Sequence, residues 1–227
     1  KGLLTSDGDF WLKQRRLIQP AFHKQKMNQL VDNMNKTITA EVDNLDENKF
    51  FDVFPAMSQL AFNVVAKSLF EFSISEEKLH RIKFIIEEVQ KFLVKEIRLP
   101  HKALWFSLSG QVRKHLNLAE ENNNIIQEII EGRNASNEEY NDLLNMLMET
   151  RYEDTGESMS MQQLIDEIKV LFIAGHETTA NALTFTLHFL GRYPEIQQKI
   201  FDEITEIESH TDNVVEQLQK SSCLDYR

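Results

Sequence analysis

One cysteine in 227 residues leaves no partner for a disulfide and too few thiolates for a zinc centre, a usage that suits a reducing compartment. Seven glycines and four prolines punctuate too sparsely for an all-β chain, which needs turn residues about every 8–12 positions. Basic residues are outnumbered, 25 Lys and Arg against 36 Asp and Glu. The net charge of −11 argues against nucleic acid as a partner of the chain as a whole. No run of 18 uncharged apolar residues occurs, so no segment is expected to span a membrane, and no charged-then-apolar leader opens the chain. The seven glycines form no G-x-G-x-x-G, Walker A or G-x-S-x-G motif, which withdraws support from phosphate-loop and nucleophile-elbow chemistry. The chain opens at Lys1 rather than Met and stops at Arg227 after a turn-like Ser221-Ser222. Both ends read as cuts, so a segment of a longer polypeptide is expected.

What remains is abundant apolar material at one period. Leu, Ile, Val and Phe account for 69 of the 227 residues, enough for a sizeable core. The recurring spacing is 3.6, with no convincing two-residue alternation, and it predicts an all-α chain of eight or nine helices. A short helix starts near Phe10 after the turn Ser6-Asp7-Gly8 and ends at Pro20. Met27, Leu30, Val31, Met34, Ile38, Val42 and Leu45 mark an amphipathic helix, and Asp52 can cap a third whose buried face carries Val53, Met57, Leu60, Ala61, Val64 and Val65. Ser73 with Glu76, Ser136 with Glu139 and Ser160 with Gln163 have capping-box spacing. They place helices up to Ile97, through Leu143, Leu144, Leu147 and Met148, and from Met161. Another helix spans about 111–132, and the polar stretch 151–158 is a loop. From Met161 nothing breaks the helical pattern until Gly191 and Pro194, and a last helix with Ile196, Ile200, Ile204 and Ile207 on one face follows.

The centre of that long helix breaks local rules. Leu171-Phe172-Ile173-Ala174-Gly175-His176-Glu177-Thr178-Thr179-Ala180 is flanked by apolar residues on both sides, so the helix is expected to be buried on most faces. Gly costs roughly 1 kcal/mol against Ala in a helix interior, and a buried carboxylate costs more unless it is paired. Thr178 can reach back to the Ala174 carbonyl and bend the helix. Gly175 offers no side chain to keep a ligand away, and Glu177 beside Thr178 supplies an acid and a hydroxyl for relaying a proton. The alternative is a core helix with a glycine packing notch and threonine hydroxyls satisfied by carbonyls four residues back; on these residues alone both stand. Metal readings fail: His176-Glu177 begins H-E-x-x-H but position 180 is Ala, and only Glu77-x-x-His80 offers a Glu-x-x-His pair.

Ala174-Gly175-His176-Glu177-Thr178-Thr179 resembles the long central I helix of the cytochromes P450, whose motif is [A/G]-G-x-[D/E]-T-[T/S]. Trp11-x-x-x-Arg15, followed by Pro20-Ala21-Phe22, resembles the C helix of the same family. The resemblance implies the helical part of that fold, helices C to J, as one incomplete domain over residues 1–227 without the small β domain and the haem-ligand loop. It further implies haem b as cofactor, electrons ultimately from NAD(P)H, and insertion of one oxygen atom from dioxygen into a small, apolar organic substrate. Trp11 and Arg15 would hold a haem propionate, Ala174 and Gly175 would lie over the distal haem face, and Glu177 and Thr178 would serve oxygen activation and proton delivery. The family's iron ligand is a Cys thiolate in F-x-x-G-x-R-x-C-x-G, preceded by E-x-x-R. Neither motif occurs here, and Cys223, after Lys220-Ser221-Ser222, is not expected to bind iron; this chain alone is expected to be inactive.

Five cations and no acid lie between Phe10 and Val31. By the resemblance, the face bearing Lys13, Arg16 and Lys24 would receive a ferredoxin, flavodoxin or flavin reductase; a solvated helix is the plainer alternative. A cofactor-free helical interaction module, a non-catalytic truncated relative and a His-ligated haem protein are the competing functional readings. Residues 92–111, with Phe92, Leu93, Leu99, Leu104, Trp105 and Phe106, are expected at the substrate side, in the core or at a membrane surface. The expected location is cytoplasmic for a bacterial chain, or membrane-anchored should an anchor precede Lys1.

Overall fold

The structure, a computed structural model, describes residues 2–46, 48–70, 74–136, 138, 140–211 and 213–221, and leaves aside the side chains of residues 24–27, 29, 218 and 219. Ten α-helices and two 3-10 turns, with no strand, make up the described residues. The helices are α1 Gly8–Ile18, α2 Lys24–Asp43, α3 Val53–Phe70, α4 Glu76–Arg98, α5 Ala103–Leu108, α6 Gln111–Ala135, α7 Leu143–Glu149, α8 Met161–Arg192, α9 Pro194–Glu208 and α10 Val214–Lys220. The all-α expectation holds, and the stop signals at Pro20, Pro100 and Pro194 fall where helices end or restart.

Capping is where local sequence misleads. Ser160 does cap α8, its hydroxyl accepting the Gln163 N–H at 3.2 Å, and Asp52 accepts the Phe54 N–H at 3.1 Å. Ser73 and Glu139 lie outside the described residues, and other residues do the work assigned to their motifs. Ser75 caps α4 by accepting the Lys78 N–H. Ser136 closes α6 instead of opening α7, donating its hydroxyl to the Arg133 carbonyl at 3.0 Å. Asp142 opens α7, its Oδ1 accepting the Asn145 N–H at 2.9 Å. On α2 the buried polar position is Thr37, whose hydroxyl donates to the Asn33 carbonyl at 2.8 Å, while Ile38 and Val42 are exposed.

The chain divides into two compact units. One comprises Lys1–Leu17 and Leu69–Ile173; the other Ile18–Ser68 and Ala174–Arg227. In the first, α4 lies along α6, with Ile82, Ile85, Ile126 and Ile130 buried, and Arg81 reaches both Glu121 oxygens at 2.6 and 2.7 Å. That exposed pair adds little stability. The consequential pair is internal. Arg133 meets Asp142 at 2.7 Å with both side chains almost fully buried, donates to the Phe70 carbonyl at 3.3 Å and lies 3.5 Å over the Tyr140 ring. In the second unit, α3 contributes Met57, Leu60, Ala61, Phe62 and Ala66 to the core. By length and composition alone α3 could cross a membrane, although Gln59, Asn63 and Lys67 keep it from being an uninterrupted apolar run.

A second buried acid sits on α8. Glu167 is almost fully buried and takes two donors: the Leu3 N–H at 3.0 Å on Oε2 and the Gln163 side-chain amide at 2.8 Å on Oε1. Burial raises its pKa above the ordinary value of 4.5, helped by the charge of Asp166, and the two N–H donors offset this in part.

Replacing Asp142 by Ala strands the Arg133 charge and removes a cap, so a loss of about 3–5 kcal/mol in denaturant-unfolding stability is expected. For Glu167 the sign is opposite to that of a salt-bridged acid. The folded state holds its proton to higher pH than the unfolded chain does, so ionisation subtracts stability as pH rises through and beyond 4.5. The thermal midpoint of Glu167→Gln relative to the parent chain should therefore be higher at pH 7 than at pH 4.

Candidate functional site

On α1 the side chains at i and i+4 meet as helical geometry requires: the Arg15 guanidinium lies 5.4 Å from the centre of the half-buried Trp11 ring. Gln14 and Leu17 point inward, which turns Arg15 to solvent. Among the described residues no carboxylate pairs with Arg15, so its fork is available to an anion from outside.

The neighbouring cations are differently placed. Lys13 is bound to Asp154 at 3.0 Å, sits 4.5 Å over the Tyr152 ring, and holds the Asp154 carboxyl below its ordinary range. Gln14 donates to the Tyr152 hydroxyl. The loop after α7 is therefore clamped to α1, and the cleft between them, about 290 Å³, is lined by Lys13, Arg16 and Arg151 but also by Asp9, Glu153 and Asp154. The face expected to be basic carries both signs: Arg16 keeps its place there, Lys13 is compensated, and the side chain of Lys24 lies outside the described residues.

Helix α8 runs unbroken from Met161 to Arg192. Ile165, Ile168, Phe172, His176 and Ala180 form its buried stripe. Ala174, Glu177 and Thr178 lie on the exposed side. The Thr178 hydroxyl donates to the Ala174 carbonyl at 2.6 Å, as the spacing foretold. Thr184 and Thr186 make the same bond to Ala180 and Ala182, so the bond alone does not single out Thr178. Ala174 and Thr178 put a small residue and a hydroxyl in open space one turn apart, as the exposed Ala182 and Thr186 also do, so it is the surrounding motif that distinguishes them.

Burial on most faces is not what the structure has. Phe185, Leu187 and Phe189 are 61%, 44% and 53% exposed, because the described residues cover only one stripe of the helix. Gly175 also differs from expectation. A Cβ there would come within 2.9 Å of Val65 Cγ2 on α3, so its missing side chain makes room for a helix rather than opening the face that Thr178 occupies. Its backbone is half-exposed. His176 is buried edge-on against Phe62, with ring centres 5.6 Å apart, which places it on the side opposite Ala174 and Thr178 and removes the reading in which it ligates a haem beside them.

Sequence reasoning passed over Glu167, and it placed Val65 on the buried face of α3 without its partner Gly175. Glu167 left a signal: it falls three residues after Leu164, inside the run Leu164, Ile165, Ile168 that sets the buried side. Among the described residues no cluster of His, Cys, Asp and Glu could hold a metal ion, and Cys223 lies outside them.

The family model described as Cytochrome P450 matches residues 1–224. Cyclooctat-9-en-7-ol 5-monooxygenase of Streptomyces melanosporofaciens is 27% identical over 205 residues, covering 90% of this chain and 45% of the relative. Echinocystic acid 23-monooxygenase of Saponaria officinalis is 30% identical over 224 residues, covering 89% and 42%. Among solved structures, retinoic acid-bound cyanobacterial CYP120A1 aligns over 99% of this chain and 49% of its own, with TM-score 0.81 and 20% identity. The cytochrome P450DA heme domain aligns over 91% and 46%, with TM-score 0.79 and 24% identity; both likenesses are of fold. The chain spans less than half the length of the curated relatives it matches.

Gly175→Ala would gain about 1 kcal/mol as an ordinary helix substitution, but overpacking against Val65 costs about 1–3 kcal/mol. Denaturant unfolding should show a net loss in the parent chain and a net gain in a Val65→Ala background. A loss of the same size in both backgrounds would remove Val65 as the reason for the glycine.

Proposed function

The chain belongs to the cytochrome P450 family, and from that premise we propose that it is the distal, helix-rich part of a haem-dependent monooxygenase. The residues present fit parts of a haem, each taken by itself. Arg15, with no carboxylate partner among the described residues and with Trp11 beside it, would suit a propionate carboxylate, and the exposed Ala174–Thr178 step would leave room for a flat ring. No thiolate is available among the described residues, so the iron ligand is assigned to polypeptide outside them.

When bound, the haem supplies reductive activation of dioxygen, with one oxygen atom passing to a C–H bond of the substrate and the other leaving as water. The roles of this chain are positional and protonic. Arg15 and Trp11 would hold a propionate. Ala174 would present a methyl, and no more, to oxygen and substrate, and Gly175 lets α8 stay close to α3 at that level. Thr178 Oγ1, bonded to the Ala174 carbonyl, keeps its lone pairs free to accept a proton from water, and by turning from that carbonyl it can donate one. Glu177, exposed beside it, exchanges protons with solvent and replenishes the relay.

The cyclic alkenol in the name of the Streptomyces relative favours a substrate that is largely apolar. Electrons would arrive from NAD(P)H through a ferredoxin, flavodoxin or flavin reductase seated against Arg16 and its neighbours on α1.

The observation that carries the proposal is the open Ala174–Thr178 face, a small residue and a hydroxyl one turn apart within the family's motif. In the complete enzyme, Thr178→Ala should cut product formed per NAD(P)H by at least about tenfold, with hydrogen peroxide accounting for the difference. Unchanged coupling would take the proton role from Thr178. Arg15→Ala should accelerate haem transfer to an apo-globin scavenger, and an unchanged rate would contradict the propionate assignment.

A further inference from the structure

Residues 2–6, which lead into α1, are seated on the first half of α8. Gly2 is buried, and a Cβ on it would come within 2.7 Å of Val170 Cγ2 and 2.9 Å of the Asp166 carbonyl oxygen, which is backbone and cannot yield. The Gly2 carbonyl takes three donors: the Thr5 N–H at 3.0 Å, the Thr5 hydroxyl at 3.3 Å and the Ser6 hydroxyl at 3.1 Å. The Leu3 N–H goes to Glu167 Oε2 at 3.0 Å, and Gln163 holds the other carboxylate oxygen. Beside this contact Asp166 is occupied by Lys169 at 2.8 Å, and Lys169 also reaches Asn123 on α6 at 2.8 Å, so the ion pair one residue away has its own partners. The chain then turns directly into α1, where the Trp11 N–H bonds the Asp7 carbonyl at 3.2 Å.

A buried acid held, among the described residues, by N–H donors alone is an expensive way to fill core volume. An apolar side chain would fill it more cheaply, but it could not satisfy a backbone N–H that arrives from 164 residues away. We propose that Glu167 is a positioning residue: it pins the backbone at Leu3, and through the short turn that follows it sets where α1 begins and how Trp11 and Arg15 are presented. The inference rests on the role given above to that pair, and it adds a residue outside the P450 motifs to the machinery that holds the cofactor.

The test uses a Trp105→Phe background, which leaves Trp11 as the one indole. Glu167→Ala should raise hydrogen exchange at the Leu3 amide by roughly tenfold or more and shift the Trp11 emission. Glu167→Gln should leave both near the parent values, because the Gln163 amide can turn to keep both bonds. Gly2→Val, which dislodges the segment from the other side without stranding a buried group, should reproduce the Glu167→Ala response and serves if that variant fails to fold. Unchanged Leu3 exchange, or an unchanged Trp11 spectrum once Leu3 is released, would overturn the proposal. Neither readout needs haem. The expected Trp11 response together with full haem retention in Arg15→Ala would uphold Glu167 as the anchor while removing the propionate role.

Discussion

Burial of Ile165, Ile168, Phe172, His176 and Ala180 along one stripe is the constraint that fixes the phase of α8. At 3.6 residues per turn, a slip of one residue rotates the helix by about 100°, which would turn Thr178 toward its neighbours and expose Phe172. Because large apolar groups hold that phase, Ala174, Glu177 and Thr178 face outward without needing any interaction of their own to do so. The same phase aims Gly175 at Val65 and His176 at Phe62. The hexad is thus distributed by the stripe: Gly175 and His176 pack while Ala174, Glu177, Thr178 and Thr179 face outward, according to angle, not polarity.

The energetic pattern elsewhere is one of local satisfaction. Thr178, Thr184 and Thr186 each return a hydroxyl to the carbonyl four residues back, so a helix carrying several β-branched polar residues loses little. Two buried acids are treated in opposite ways. Asp142 has a guanidinium and a helix N-terminus, and its charge is an asset. Glu167 has, among the described residues, amide donors alone, and its charge is tolerated for the sake of a backbone contact.

Much of this was legible in the sequence. Helical period and proline stops located the elements, since both are properties of short windows. The S-x-x-E pattern was less reliable at Ser136, because a serine at a helix boundary serves the C-terminal end as readily as the N-terminal one, and only the chain direction of α6 decides. The motif around Thr178 singled out the candidate site, and the i−4 bond of Thr178 followed from spacing. The neighbour of Gly175 did not follow, because a glycine's empty direction has meaning only once helix phase and the adjacent helix are known. Lys13 looked free because Asp154 is 141 positions distant, and Glu167 looked unremarkable because its partner is a backbone N–H, which every residue but proline carries.

The outward flank of the second half of α8, with Phe185, Leu187 and Phe189, continues in kind on α9, where Ile196, Phe201 and Ile204 are 45%, 63% and 47% exposed. An oily strip of that extent is adhesive in water. Handled by itself, the polypeptide would self-associate in proportion to its concentration, collect detergent and hydrophobic dyes, and engage chaperones, so its colloidal behaviour is governed by this flank more than by its eleven surplus negative charges.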